Sequence, residues 1–300
     1  MENSYTKPKP IWRHHIEVTE AIAKGITCLA ELRLLTTAQF AKTTGLSPKH
    51  AGEILRRLEF YTYVAAAGDM PIPGRGRAPK IWHLTQKGHA YFEDIAGLEL
   101  PAYVHAKPNR AWSQIMPHRL AIVDFYLSLR SALNEINIAK IENAAFDFRY
   151  EVQGDSKQKE TTDVLDRKNS KKIIPDAAFH LVTKDNLEAL FFLEMDMGTE
   201  LIDPSTSTNT TIYKKLAAYQ SYLKSGTFTR KYQHWGQFTA FQLLFVTTTK
   251  ARIEKIITSL RGEHAALKPY LLFATKDGAI SNPLGDIWRD GYGKVASLMG

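Results

Sequence analysis

The chain has 300 residues, 44% hydrophobic, 23% charged and 11% aromatic, enough apolar surface for a packed core, so wholesale disorder is excluded. Lysine and arginine total 39 against 31 acids, and the resulting charge of +8 favours a polyanionic partner. The one cysteine, Cys28, excludes an internal disulfide and a Cys-rich zinc ribbon, and such a length suits two domains of about 100–200 residues.

Residues 1–13 are polar, with two Lys-Pro steps that disfavour helix, and read as a flexible leader. No apolar leader segment and no run of about 18 uncharged apolar residues is present, so the expectation is a soluble, cytoplasmic protein with no membrane partner. From Ile16 to about Leu35 apolar residues recur at helical spacing, interrupted at Gly25, which predicts one helix or two. Next, Thr36 or Thr37 can cap a short helix that Gly45 ends, and Ser47-Pro48 opens another with Ser at the cap and Pro in the first turn. TYVAAAG reads as a strand, DMPIPGRGRAPK as a loop, IWHLT as a returning strand and TQKGHAYFEDI as a closing helix. The whole is the pattern of a winged helix-turn-helix over residues 14–100.

A linker is expected over 101–117, then a second domain over 118–300 that opens with an apolar helix from Leu120 to Leu133. Strands are predicted at about 144–151, 173–182 and 189–196, a helix at 210–224 and a strand at 241–248, an αβββαβ order. GDSKQKETTDVLDRKNSKK, between the first two strands, is charged and without apolar periodicity, and reads as a mobile surface loop.

In a helix-turn-helix the second helix enters the major groove, about 12 Å wide, with residues near its start at base edges. Here those are Ser47, Lys49 and His50, while Arg56, Arg57 and, in the wing, Arg75, Arg77 and Lys80 would meet phosphates or the minor groove. Residues 42–87 carry eight basic and three acidic side chains, so the positive excess concentrates there. The competing reading is a protein-interaction module with a solvated arginine loop.

IIPDAAFHLV and LFFLEMDMGTE are apolar strands bearing acids, joined by a short turn at Lys184-Asp185-Asn186. Alternation puts Glu194 and Asp196 on one face, and a hairpin would bring Asp176 beside them. Three converging carboxylates repel unless a cation neutralises them, and hard oxygens select Mg²⁺ or Mn²⁺, so Asp176, Glu194 and Asp196 are the expected metal ligands. Such an ion supports phosphodiester chemistry, for which Lys215, sharing a helix face with Tyr219, is the expected stabiliser of transition-state charge. The alternative is a solvated strand end and a lysine snorkelling off an amphipathic helix.

At PDAAF, FFLEMDMGTE and KKLAAYQSYL the chain resembles the plasmid replication-relaxation family, and LLFVTTTKARIEKII continues the likeness. The resemblance implies a relaxase-like protein with a winged helix and a restriction-endonuclease-like, PD-(D/E)xK core. Pro175-Asp176 matches that pattern, but Glu194-Met195-Asp196 has an acid where the motif has lysine. The resemblance implies that the lysine has migrated to the following helix, as Lys215 with Lys214 in reserve, and that Glu200 binds metal directly or through water. His118 and Arg119 open the helix resembling the family's domain junction.

The expected function is metal-dependent nicking at an origin-like duplex site in plasmid mobilisation or replication, with a homodimer or relaxosome proteins as further partners. The alternative is a non-catalytic DNA-binding regulator with a degenerate nuclease-like domain. A histidine-cluster relaxase is disfavoured because the ten histidines form no His-x-His motif, which leaves Tyr219 only a remote nucleophile.

Overall fold

The structure, a computed structural model, describes residues 16–69, 79–105, 112–136, 139–153, 156–166, 171–202, 211–260 and 262–298. The chain is mixed α+β and divides into two compact units, Met1–Arg110 and Ala111–Gly300.

In the first unit α1 (Glu20–Leu32) starts where the Thr19 hydroxyl accepts from the Ile22 amide. It is one continuous helix, not two. Gly25 interrupts the apolar stripe because the Phe40 ring packs where a side chain would stand: a Cβ there would lie 2.4 Å from the ring. After the short β1 (Leu35–Thr36), α2 (Thr37–Thr44) opens on a capping box, the Gln39 amide donating to Thr36 Oγ1 and the Thr36 amide to Gln39 Oε1. Gly45, at φ +71°, ends it in the left-handed conformation that glycine adopts without steric cost. Ser47 then caps α3 (Pro48–Phe60), accepting from the His50 amide, with Pro48 in the first turn. Ala51, Leu55 and Leu58 are buried on one face, while Lys49, His50, Glu53, Arg56, Arg57 and Phe60 are exposed. Next come β2 (Val64–Asp69), β3 (Lys80–Leu84) and α4 (Gln86–Ala90), followed by a π-helical turn at Tyr91–Ile95. The three strands form an antiparallel sheet in the order β1-β3-β2. Gly88 is obligatory at the start of α4, since a Cβ would lie 2.0 Å from the Tyr63 carbonyl oxygen. Arg75 and Arg77 lie outside the described residues.

The second unit opens with α5 (Trp112–Ile136), which begins inside the expected linker. Pro117 lies within it, near the helix start, where the missing N–H costs one hydrogen bond. β4 (Ala139–Phe146) precedes two antiparallel ribbons, β5 (Tyr150–Gln153) with β6 (Ser156–Lys159) and β7 (Asp163–Asp166) with β8 (Lys171–Ile173). Within the stretch expected to be a mobile loop, the described residues 156–159, 163–166 and 171–172 are strand. Polar links hold it: Arg149 Nε to Glu160 at 2.7 Å, Lys159 Nζ to Asp147 at 2.8 Å and Lys231 Nζ to Glu151 at 2.6 Å. β9 (Ala177–Thr183), β10 (Glu188–Met195), α6 (Ile212–Ser225), α7 (Thr227–Lys231), β11 (Gln242–Thr247) and α8 (Lys250–Ser259) follow. The described chain ends with β12 (Leu271–Thr275), α9 (Lys276–Ser281), β13 (Trp288–Asp290) and β14 (Val295–Ala296).

Seven strands form one mixed sheet in the order β14-β13-β12-β11-β10-β9-β4. β10, β11 and β12 run parallel and the other pairings are antiparallel. The parallel strands are nearly continuous apolar runs because both faces are covered. On one side α6 and α8 close over Phe192, Phe241, Leu243 and Phe245; on the other Phe125 of α5 meets Phe179 and Trp288. Among the described residues no helix is long and apolar enough to cross a membrane.

Candidate functional site

The site lies where β10 leaves the core. Phe192 faces the α6 side of the sheet, so alternation turns Glu194 there as well. Glu194 is buried to 3% exposure and has both oxygens engaged. Oε1 accepts from the Tyr219 hydroxyl at 2.5 Å, and Oε2 pairs with Lys215 Nζ at 2.9 Å. Lys215 also reaches Glu200 Oε1 at 2.9 Å. Lys215 and Tyr219 present one face of α6 to the strand because they stand four residues apart.

Asp176 precedes β9 and is locked to β10: its amide donates to the Leu193 carbonyl, and its Oδ2 accepts from the Met195 amide at 2.7 Å. The same oxygen meets His118 Nε2 of α5 at 3.1 Å. Asp196 has a separate set of partners. Its Oδ2 accepts from Thr247 Oγ1 at 2.6 Å and Arg252 Nε at 2.5 Å, and its Oδ1 accepts from Arg252 Nη2 and from the Gly198 amide. Arg252 Nη2 also donates to the Glu200 carbonyl. Asp176, Glu194, Glu200, Lys215 and Tyr219 are thus brought together with His118, while Asp196 is closed off by an arginine fork.

Burial pushes the Glu194 carboxyl up to about 7; the Asp176 charge adds to this, and Lys215 and Tyr219 oppose it. Burial alone would lower the Lys215 ammonium, but Glu194, Glu200 and Asp176 outweigh it and raise it, so the lysine stays charged. Tyr219 is held well above its ordinary value by burial and by the Glu194 charge. His118 is raised as well: burial works against the proton, and Asp176, Asp147 and Glu194 more than restore it.

Asp176, Glu194 and Glu200 offer hard oxygens of the kind that select Mg²⁺ or Mn²⁺, and Glu200 Oε2 is buried with no hydrogen-bond partner. Among the described residues, no group of three or more His, Cys, Asp or Glu side chains is gathered as a metal-holding cluster. Like-charge repulsion is relieved here by Lys215, Arg252 and His118.

The N-terminal candidates lie on α3 and β3. Lys49, His50, Arg56 and Arg57 are exposed on α3, where Arg56 Nε donates to the Gly52 carbonyl of its own helix, and the Ser47 hydroxyl is occupied in capping. Lys80 is tied to Glu59 at 2.9 Å and lies 4.1 Å from the centre of the Trp82 ring. His118, Thr247 and Arg252 were not singled out for the acids from sequence, since their partners lie 51–58 residues away along the chain. Lys214 is exposed.

Fold and site together define a two-unit α+β protein with a buried carboxylate–lysine centre at the end of a parallel strand. The family model for replication-relaxation matches residues 26–237. The chain belongs to the replication-relaxation family, which points to a role in plasmid replication or mobilisation. Comparison with curated proteins finds no match. Among solved structures, the crystal structure of NadR in complex with 4-hydroxyphenylacetate is 19% identical, covering 39% of this chain and 73% of its own. Its TM-score of 0.24 is too low for the likeness to bear on fold or function.

Proposed function

We propose that this protein binds an origin-like duplex site through an N-terminal winged helix and nicks DNA at a PD-(D/E)xK-like centre in its C-terminal unit, acting in plasmid mobilisation or replication. The observation that carries the reading is the Lys215–Glu194 contact. A helix lysine stands 2.9 Å from the strand carboxylate, which supports giving Lys215 the role that the motif assigns to a lysine on the strand. Asp176 and Glu194, with Glu200 beside them, are the residues that would hold Mg²⁺ or Mn²⁺, which when bound supplies phosphoryl polarisation and an activated water. Lys215, fixed as a cation, stabilises charge developing on the phosphate. His118 orients Asp176, and Tyr219 holds Glu194 Oε1. Tyr219 is fully buried with a strongly raised hydroxyl, an environment opposed to nucleophilic attack on a phosphate.

The test is incubation of a supercoiled plasmid carrying the cognate site with protein and Mg²⁺ or Mn²⁺. Open circles are expected from the wild type and none from Glu194→Gln or Lys215→Ala, with duplex binding retained. The second reading, a non-catalytic DNA-binding regulator, is favoured by the engagement of both Glu194 oxygens. Calorimetric Mn²⁺ titration separates the two: no heat and no open circles leave the regulator.

A further inference from the structure

Phe60 is the last residue of α3 and at 80% exposure is the most exposed large apolar side chain among the described residues. It is backed by a run of rings. Tyr61 meets Phe60 edge to face at 5.3 Å and stacks towards Tyr63 at 6.0 Å, and the buried Tyr63 stacks on Tyr91 at 4.2 Å. The turn beyond the helix is pinned. Lys87 Nζ donates to the Tyr61 carbonyl and to Thr62 Oγ1, Thr85 Oγ1 donates to the Thr62 carbonyl, and Thr62 sits at φ +62°. The exposed ring therefore stands on a rigid base, and little ordering is left to be done on binding.

Its surroundings are cationic. Arg56 and Arg57, one helical turn back, are exposed on the adjoining surface, and the neighbouring Glu59 is neutralised by Lys80. A second copy docking on Phe60 would set two arginine pairs against each other, whereas a phosphate backbone complements them. An aromatic face beside cations is the arrangement that stacks nucleobases, and bases present a free face only when unpaired.

We propose that Phe60, backed by Tyr61, is a stacking platform for an unpaired DNA base, giving the N-terminal unit a single-stranded mode of binding beside its duplex grip. The proposal rests on reading that unit as DNA-binding. It would let the unit hold strand opened beside the site it recognises.

The test is fluorescence anisotropy of the full chain with a labelled oligothymidylate and, separately, a labelled random duplex. Phe60→Ala should weaken oligothymidylate binding by about fivefold or more, the loss of one base–aromatic stack, leave duplex affinity within about twofold, and keep the wild-type melting temperature. Phe60→Trp should restore the loss. Equal losses on both DNAs, no loss on either, or failure of tryptophan to rescue would overturn the platform. So would sedimentation showing that Phe60→Ala dissociates a dimer. If the wild type binds duplex but not oligothymidylate, only this proposal falls; if it binds neither, the DNA-binding reading falls with it.

Discussion

Replacing Glu194 by glutamine keeps its shape and removes its titration, which isolates the energy stored in one buried carboxyl. Burial raises that carboxyl from 4.5 to about 7, so between these values the folded state holds a proton that the unfolded state releases. A folded pKa above the unfolded one gives stability that is fully present below about 4.5 and lost as pH rises through about 7. One pKa unit is worth about 1.4 kcal/mol, and with the curvature at both ends the loss between pH 5 and pH 7 is roughly 2 kcal/mol. Asp147 is raised too and slopes the same way, but it titrates in both proteins and cancels in the difference; His118, raised against burial chiefly by Asp176 and least by Glu194, cancels in all but the Glu194 share. The assay is urea unfolding of wild type and Glu194→Gln at a series of pH values in chelator, read by near-ultraviolet circular dichroism. The wild type should lose about 2 kcal/mol more than the variant across that window. Parallel pH profiles would show that Glu194 is not the buried, proton-holding group described here.

The same geometry sets three further outcomes. Arg252→Met leaves the Asp196 carboxylate, 1% exposed, without its cation and should cost about 3–5 kcal/mol in chemical denaturation, much of it recovered in Arg252→Met/Asp196→Asn; a loss under about 1 kcal/mol would contradict the buried pair. Gly88→Ala drives a methyl to 2.0 Å from the Tyr63 carbonyl oxygen and should lower the melting temperature of the N-terminal unit by the equivalent of about 1–3 kcal/mol, which calorimetry of the full chain would register. Lys49→Ala or His50→Ala should erode discrimination between cognate and random duplex more than non-specific affinity, because base contacts specify and phosphate contacts position. Equal losses on both duplexes would remove α3 as the reading helix.

What was legible in the sequence was what local chemistry determines. The caps of α2 and α3 were readable because Thr36, Gly45, Ser47 and Pro48 act within a turn of their own positions. The α6 face of Lys215 and Tyr219 was readable from spacing alone. The ribbons β5–β6 and β7–β8 were not, because Glu151, Glu160 and Asp147 are held by ion pairs rather than by an apolar stripe, and polarity without periodicity resembles a loop. β12 to β14 were missed because LLFAT is a short apolar run that periodicity cannot assign, and because β13 and β14 are two or three residues long. The ownership of Asp196 was invisible because Arg252 reaches it across 56 residues.

Two acids on one strand end, two residues apart and equally buried, therefore meet different fates, and the cations that meet them explain why. Arg252 offers Asp196 a planar fork, filling both oxygens while also gripping the Glu200 carbonyl, so Asp196 cannot turn without breaking several bonds at once. Lys215 offers Glu194 a point charge on a flexible stem shared with Glu200, and a lysine can keep one carboxylate while releasing the other. On the proposed reading, Glu194 is thus the acid free to exchange its lysine for a metal while Lys215 turns to a substrate phosphate, and Asp196 is the brace that holds the strand end meanwhile. The departure from the motif, an acid where lysine is usual, then has a physical sense. Arg252 supplies the charge that the buried Asp196 needs, and on the proposed reading Lys215 would supply the charge that the chemistry needs from the helix side.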